Sequence, residues 1–350
     1  MSVAVRLEKT KPFANEKGRL YFYDNAKFIL IFLVVLAHYL SPLTSTIPFC
    51  KVVWSSINVF HMPAFIFISG FFAKSYIAKD NTVKVQRTFT YIVLYLAAQL
   101  AVSLFERLVL KAQFSASVMN ARSSLWFLQC LILWHLFLPF VARFKASVAI
   151  PVSFVVALWA GYETQCLNFM AISRVLVHFP FFLCGYYCSQ QQIEKLFRWK
   201  VRIPLLIAAA GIITMFALVP ETGAGKIFTC NFPYTSIESI SFMPYGLYWT
   251  ARLAFYAEAF IMGAAFLSIM PRSKVVFTAL GAKSLSVYIL HRFVYLAELE
   301  YNWHEYFATG WGIAAIFGIA LAMTVLFSLK PFTIPFDALQ KIKVNRLLRN

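Results

Sequence analysis

The sequence predicts an all-α integral membrane protein, a bundle of about ten transmembrane helices with both termini cytoplasmic. Three observations carry that expectation. Of 350 residues, 61% are hydrophobic and 18% aromatic, with a mean hydropathy of +0.70, whereas soluble domains are roughly half apolar. Apolar runs of roughly 17 to 25 residues recur along the chain, the length at which a helix crosses about 30 Å of hydrocarbon. The surplus of +18, from 32 Lys and Arg against 14 Asp and Glu, falls in alternate loops.

Residues 1–27 form a polar arm of mixed charge, unlike a cleavable secretory signal. The predicted spans then follow at 28–46, 54–73, 88–106, 123–142, 147–162, 171–189, 203–220, 247–270, 275–296 and 311–329, before a basic tail at 330–350. Most are continuously apolar and lack the two-residue alternation of lipid-facing barrel strands.

The charge count sets the orientation. The arm holds Arg6, Lys9, Lys11, Lys17, Arg19 and Lys27, and the second loop Lys74, Lys79, Lys84 and Arg87. With the fourth, sixth and eighth loops and the tail, 23 basic residues lie on one side. The intervening loops receive six: Lys51, Arg107, Lys111, Arg122, Lys226 and Arg292. Lys283, Arg174 and Arg252 fall inside predicted helices. This is the positive-inside pattern, and it assigns the surplus to topology and anionic lipid headgroups. It also argues against nucleic acid, because no stretch is long and polar enough to gather the charge on a water-exposed surface.

Ionisable residues at membrane depth are costly to place there, so they are candidate functional groups. His38 lies eleven residues after Lys27, about 16 Å deeper on a helix. Imidazole suits proton transfer near neutral pH; the structural alternative is a hydrogen bond to a neighbouring helix. In the second span, His61-Met62-Pro63 places a proline kink beside a histidine, whereas Ser69-Gly70 suits close helix packing better than chemistry. Arg174 and His178 share a face of the sixth span; the arginine either holds an anionic or polyhydroxy ligand or pairs with an acid such as Glu163. Ser284, Tyr288 and His291 form a polar stripe on the ninth span. Trp126, at the outer end of the fourth, is either an aromatic-belt residue or a platform for a sugar.

No metal site is expected: Cys184 and Cys188 share a helix face without further local ligands. Cys50, Cys166 and Cys230 fall in predicted outer loops, and no pairing follows from sequence. Phosphate-binding loops, nucleophile elbows and H-E-x-x-H are absent from the sequence, which argues against an ATP-driven pump or a membrane metalloprotease. The residues alone leave a membrane enzyme level with a transporter or flippase that uses intramembrane His and Arg as a proton or substrate pathway.

Four stretches in order, YDNAKFILIFLVVLAH, FHMPAFIFISGFF, LWFL, and SRVLVHFPFFLCGYY followed by LGAKSLSVYILH, resemble the acyltransferase-3 family of bacterial membrane O-acyltransferases, in particular the branch similar to fucose 4-O-acetylase. The resemblance spans residues 23–291 and makes 28–329 a transmembrane acyltransferase domain. It implies transfer of an acyl group, usually acetyl, from cytoplasmic acetyl-CoA to a sugar hydroxyl of a cell-surface or lipid-linked glycan in the bacterial cytoplasmic membrane, with no permanently bound cofactor. The family's basic residue and histidine on the first helix fall on Lys27 and His38. This chain carries lysine where the family often has arginine, a point charge in place of a bidentate fork. On that reading His38 is general base or acyl relay, with Asp24 and His61 completing the catalytic set. Lys27, Lys74 and Arg87 hold the CoA nucleotide, and Ser69, Trp126, Arg174, His178, Tyr288 and His291 line the acceptor side.

Overall fold

The computed structural model describes residues 20–76, 85–114, 117–165, 169–219 and 225–342, and among these there is no strand. Seven helical segments are long and apolar enough to cross a membrane: Tyr21–Ser45, Pro48–Ala73, Val85–Leu108, Phe169–Tyr187, Trp199–Leu218, Tyr245–Ile269 and Gly310–Ser328, with shorter apolar helices at Trp126–Val141 and Ala146–Tyr162. Lys79, Lys84 and Cys166 lie outside the described residues.

Helix α1 (Tyr21–Leu40) carries Asp24 in its first turn, where an acid complements the helix dipole. Its start is knotted to the far end of the sequence. The Asn25 amide donates to the Pro271 and Ser273 carbonyls, each at 2.9 Å, and accepts from Thr278 Oγ1 at 2.6 Å. A Cβ on Gly281 would collide with the Asp24 carbonyl, so only glycine lets the two backbones touch.

The second predicted span is two helices, α2 (Pro48–Asn58) and α3 (His61–Ala73). Pro63 therefore does not kink a continuous helix. It sits in the first turn of α3, where the missing N–H has no intrahelical partner to lose. Cys50, expected in a loop, is buried in α2.

Then follow α4 (Val85–Leu108), α5 (Trp126–Val141), α6 (Ala146–Trp159) and α7 (Ile172–Tyr187). Helices α3 and α7 cross at backbone contact: a Cβ on Gly70 would strike the Phe182 carbonyl, and one on Gly185 the Phe67 carbonyl. Small residues at a crossing are how membrane helices gain close packing without a hydrophobic driving force between them.

Short α8 (Gln190–Lys195) leads to α9 (Trp199–Leu218), then α10 (Gly225–Thr229) and α11 (Trp249–Ile269). The ninth predicted span is also broken, into α12 (Thr278–Gly281) and α13 (Ser284–Tyr301). Lys283, expected within a helix, is instead the residue preceding α13, and its ammonium pairs with Asp337 at 2.7 Å. Arg292, counted with the outer loops although four residues inside the end of the predicted span 275–296, lies in the middle of α13, which runs on to Tyr301, and is 6% exposed. It is not a loop charge. After α14 (Gly310–Ser328), α15 (Lys330–Gln340) carries Asp337 back to the start of α13.

Candidate active site

A cavity of about 660 Å³ opens between α1, α3, α4, α5 and α13. Its cationic lining residues, Lys27 and Arg87, stand near the starts of α1 and α4. On α1 the lining residues are Lys27, Ile31 and Val34. Their spacing of four and three is one helical stripe, and the next position on it is His38. On α13 the lining ends at Tyr288, whose hydroxyl donates to the Ser124 carbonyl. One turn further on that helix stand His291 and Arg292. Two stripes, which begin at the cationic end of the cavity, thus lead to the same group of side chains.

In that group the His38 and His291 rings stack with centroids 5.3 Å apart and planes 29° from parallel, and Tyr295 tilts against His38 at 5.0 Å. Arg292 Nη1 is 3.3 Å from Nδ1 of His38 and 3.5 Å from Nε2. A nitrogen almost equidistant from both cannot approach in the ring plane, where Cε1 stands between them, so it lies over the face. This contact is cation–π in character, not an in-plane hydrogen bond. The in-plane positions of the His38 nitrogens, where an imidazole holds its lone pair and its proton, are not taken by Arg292.

His291 is fully buried, and its Nδ1 lies 2.8 Å from the Val287 carbonyl one turn back. Since a carbonyl only accepts, Nδ1 is the protonated nitrogen, which leaves Nε2 as the acceptor in the neutral ring. His61 is held the same way by the Ile57 carbonyl at 2.9 Å. It sits at the start of α3 within electrostatic reach of both His38 and His178.

A second polar group lies across α5 and α7. Trp126 stacks on His178 at 5.5 Å and 19°, and the Arg174 guanidinium stands over the same indole at 4.9 Å. Arg174 Nε donates to the Thr229 carbonyl at 2.9 Å. It forms no ion pair with Glu163, whose carboxylate accepts from the Gln165 backbone. Nearby Arg252 is wholly buried and donates to the Ile227 carbonyl and to Cys230 Sγ.

Of the residues singled out in the sequence, Lys27, Ser69, Arg87, Ser284 and Tyr288 line the cavity. Ser69 Oγ bonds its own helix at the Phe65 carbonyl, 2.9 Å away. His38 joins His291; Trp126, Arg174 and His178 join each other. Asp24 is buried at the start of α1, outside the cavity lining. Lys74 also stands outside the lining: its ammonium bonds the Cys188 carbonyl and covers the Phe71 ring, and burial pulls its pKa below the usual lysine range. Among the described residues no group of three His, Cys, Asp or Glu is placed to hold a metal ion.

The residues missed in the sequence are Arg292 and Tyr295. Their signal is present: Tyr288, Arg292 and Tyr295 follow at spacings of four and three, so they share a face of α13 with His291 alongside.

The acyltransferase-3 family model, described as an acyltransferase domain, matches residues 20–330 of the chain. No curated protein and no solved structure matches it.

Proposed function

We propose an acetyl-transfer reaction for this chain, which belongs to the acyltransferase-3 family and is a multi-pass membrane acyltransferase. The donor is acetyl-CoA from the cytoplasm, and the acceptor is a sugar hydroxyl of a cell-surface or lipid-linked glycan. The observation that carries this reading is the cavity with Lys27 and Arg87 in its wall and Tyr288 one turn short of the His38 and His291 rings. A CoA molecule is polyanionic at one end and reactive at the other. Its phosphates fit beside Lys27 and Arg87, and its pantetheine arm runs along Ile31 and Val34 until the thioester meets His38.

In this reading the helices make ten crossings, with α2 and α3 together as one and α13 as another. Both termini are cytoplasmic, on the side that carries 23 basic residues in the sequence. The membrane is the bacterial cytoplasmic membrane. His38 takes the proton of the acceptor hydroxyl, or carries the acyl group itself, at an in-plane nitrogen. Asp24 orients the Lys27 end, and His61 acts from within electrostatic reach of His38. Trp126, Arg174 and His178 form an aromatic and cationic surface suited to a polyhydroxy acceptor.

Purified protein given labelled acetyl-CoA and a glycan fraction from membranes is expected to release free CoA in proportion to label gained by the glycan. Release without glycan labelling, or none at all, would contradict the proposal.

A further inference from the structure

Arg292 is a guanidinium in the middle of a membrane bundle, 6% exposed. Among the described residues no carboxylate pairs with it. Glu106, a carboxylate within its electrostatic reach, is bonded to Arg122 instead. Its guanidinium stands over the Tyr295 ring at 4.6 Å, its Nη1 over His38, and its Nε is buried with no hydrogen-bond partner. A buried charge without a counter-ion is costly in such surroundings, because the loss of its hydration is not repaid. An arginine held on this terms is matched only when negative charge appears beside it. It stands over the face of the ring at whose edge acyl transfer is proposed.

We infer that Arg292 is a catalytic residue whose guanidinium binds the oxygen of the transferred acyl group as that oxygen becomes negative. The inference rests on the acyl-transfer reading. The acceptor oxygen attacks the thioester carbonyl carbon while its proton passes to His38. The carbonyl π pair moves onto oxygen, where Arg292 donates to it. The pair then returns, the C–S bond breaks, and the CoA thiolate leaves with the proton held by His38. An ester and a free thiol result. Because Nη1 stands 3.3 and 3.5 Å from the two His38 nitrogens, over the face of the ring, the guanidinium borders both edges at which an acyl group could react and is the cationic donor beside them. Preorganised donors of this kind contribute about 10²- to 10³-fold in rate.

The test compares two CoA analogues that the protein cannot turn over. Trifluoroacetonyl-CoA hydrates to a tetrahedral gem-diol whose acidified oxygen stands in for the oxyanion, and S-propyl-CoA has no carbonyl. Wild type is expected to bind the first at least about 10²-fold more tightly than the second, on the scale of one oxyanion donor. In Arg292→Gln and Arg292→Met that preference collapses toward unity while affinity for S-propyl-CoA stays within about threefold, below the factor of ten that 1.4 kcal/mol represents. Arg292→Lys, which keeps the charge and provides a second variant should the neutral ones fail to fold, retains part of the preference. A purely structural arginine would move both affinities together. An unchanged preference in folded Arg292→Gln, Arg292→Met or Arg292→Lys overturns the inference and leaves acyl transfer standing. Binding of neither analogue by wild type overturns the acyl-CoA reading, and the role of Arg292 falls with it.

Discussion

His38 of α1 and His291 of α13 stand face to face with ring centroids 5.3 Å apart, although 253 positions separate them in the 350-residue chain. The stack fixes the plane of His38, and the hydrogen bond from Nδ1 of His291 to the Val287 carbonyl fixes the plane of His291. Orientation thus passes from a backbone carbonyl through one ring to the next. A near-attack geometry depends on such fixing, because small displacements at a reacting group cost large factors in rate.

His291→Phe keeps a ring against His38, whereas His291→Ala leaves space beside it. Transfer activity is expected to fall by roughly 10² or more in the alanine variant, the scale of a misplaced reacting group, and clearly less in the phenylalanine variant. Steady-state CoA release by the two purified variants checks this; equal losses would deny His291 a positioning role.

The donor end separates from the chemistry. Lys27→Ala should raise the KM for acetyl-CoA about tenfold, the worth of one charge-assisted contact of about 1.4 kcal/mol, with kcat little changed. Lys27→Arg should retain wild-type KM, since the phosphates need charge at that site. Added salt should weaken acetyl-CoA binding by wild type more than by Lys27→Ala, because exposed ion pairs are screened. A fall in kcat at unchanged KM would place Lys27 elsewhere in the cycle.

The acceptor side is the group on α5 and α7. In cells carrying Trp126→Ala or Arg174→Gln, glycan acetylation is expected to drop by about 10-fold, on the scale of losing one aromatic or charged contact of 1 to 2 kcal/mol. Acetyl-CoA affinity of the purified variants should stay at the wild-type value. Loss of acetyl-CoA binding in either variant would contradict the division of the two sites.

Packing yields a prediction independent of chemistry. Gly70→Ala and Gly185→Ala each push a methyl into the carbonyl of the opposite helix. Each should destabilise the protein by about 1–3 kcal/mol, the usual cost of overpacking, read as a lower melting temperature in detergent. Gly211→Ala, where the added methyl meets open space, should leave it unchanged.

The depth of His38 beyond Lys27 was legible in the sequence because both lie on one helix, where spacing alone fixes depth; their pairing came from the family resemblance. The neighbourhood of Arg174 and His178 was legible for the same reason. Hydropathy averaged over a window runs straight across Val59-Phe60 and across Ala282-Lys283, so the breaks that begin α3 and α13 did not register. The ninth predicted span also ends at 296, five residues short of Tyr301, so Arg292 stands near its outer end and counts as a topology charge instead of a mid-helix one. Lys74 shares its loop with other cations, but its bond to the Cys188 carbonyl depends on where α7 ends. The cavity itself joins residues from α1, α3, α4, α5 and α13, a relation that no local pattern contains.

The central claim is that the acyl group passes to its acceptor at His38. It is tested most directly by following labelled acetyl from acetyl-CoA into the glycan fraction with wild type and His38→Ala at equal membrane levels. The account predicts a loss of roughly 10²- to 10⁴-fold, the range of a positioned acid–base group. Wild-type acetylation by His38→Ala would contradict it, whether the histidine acts as base or as acyl carrier.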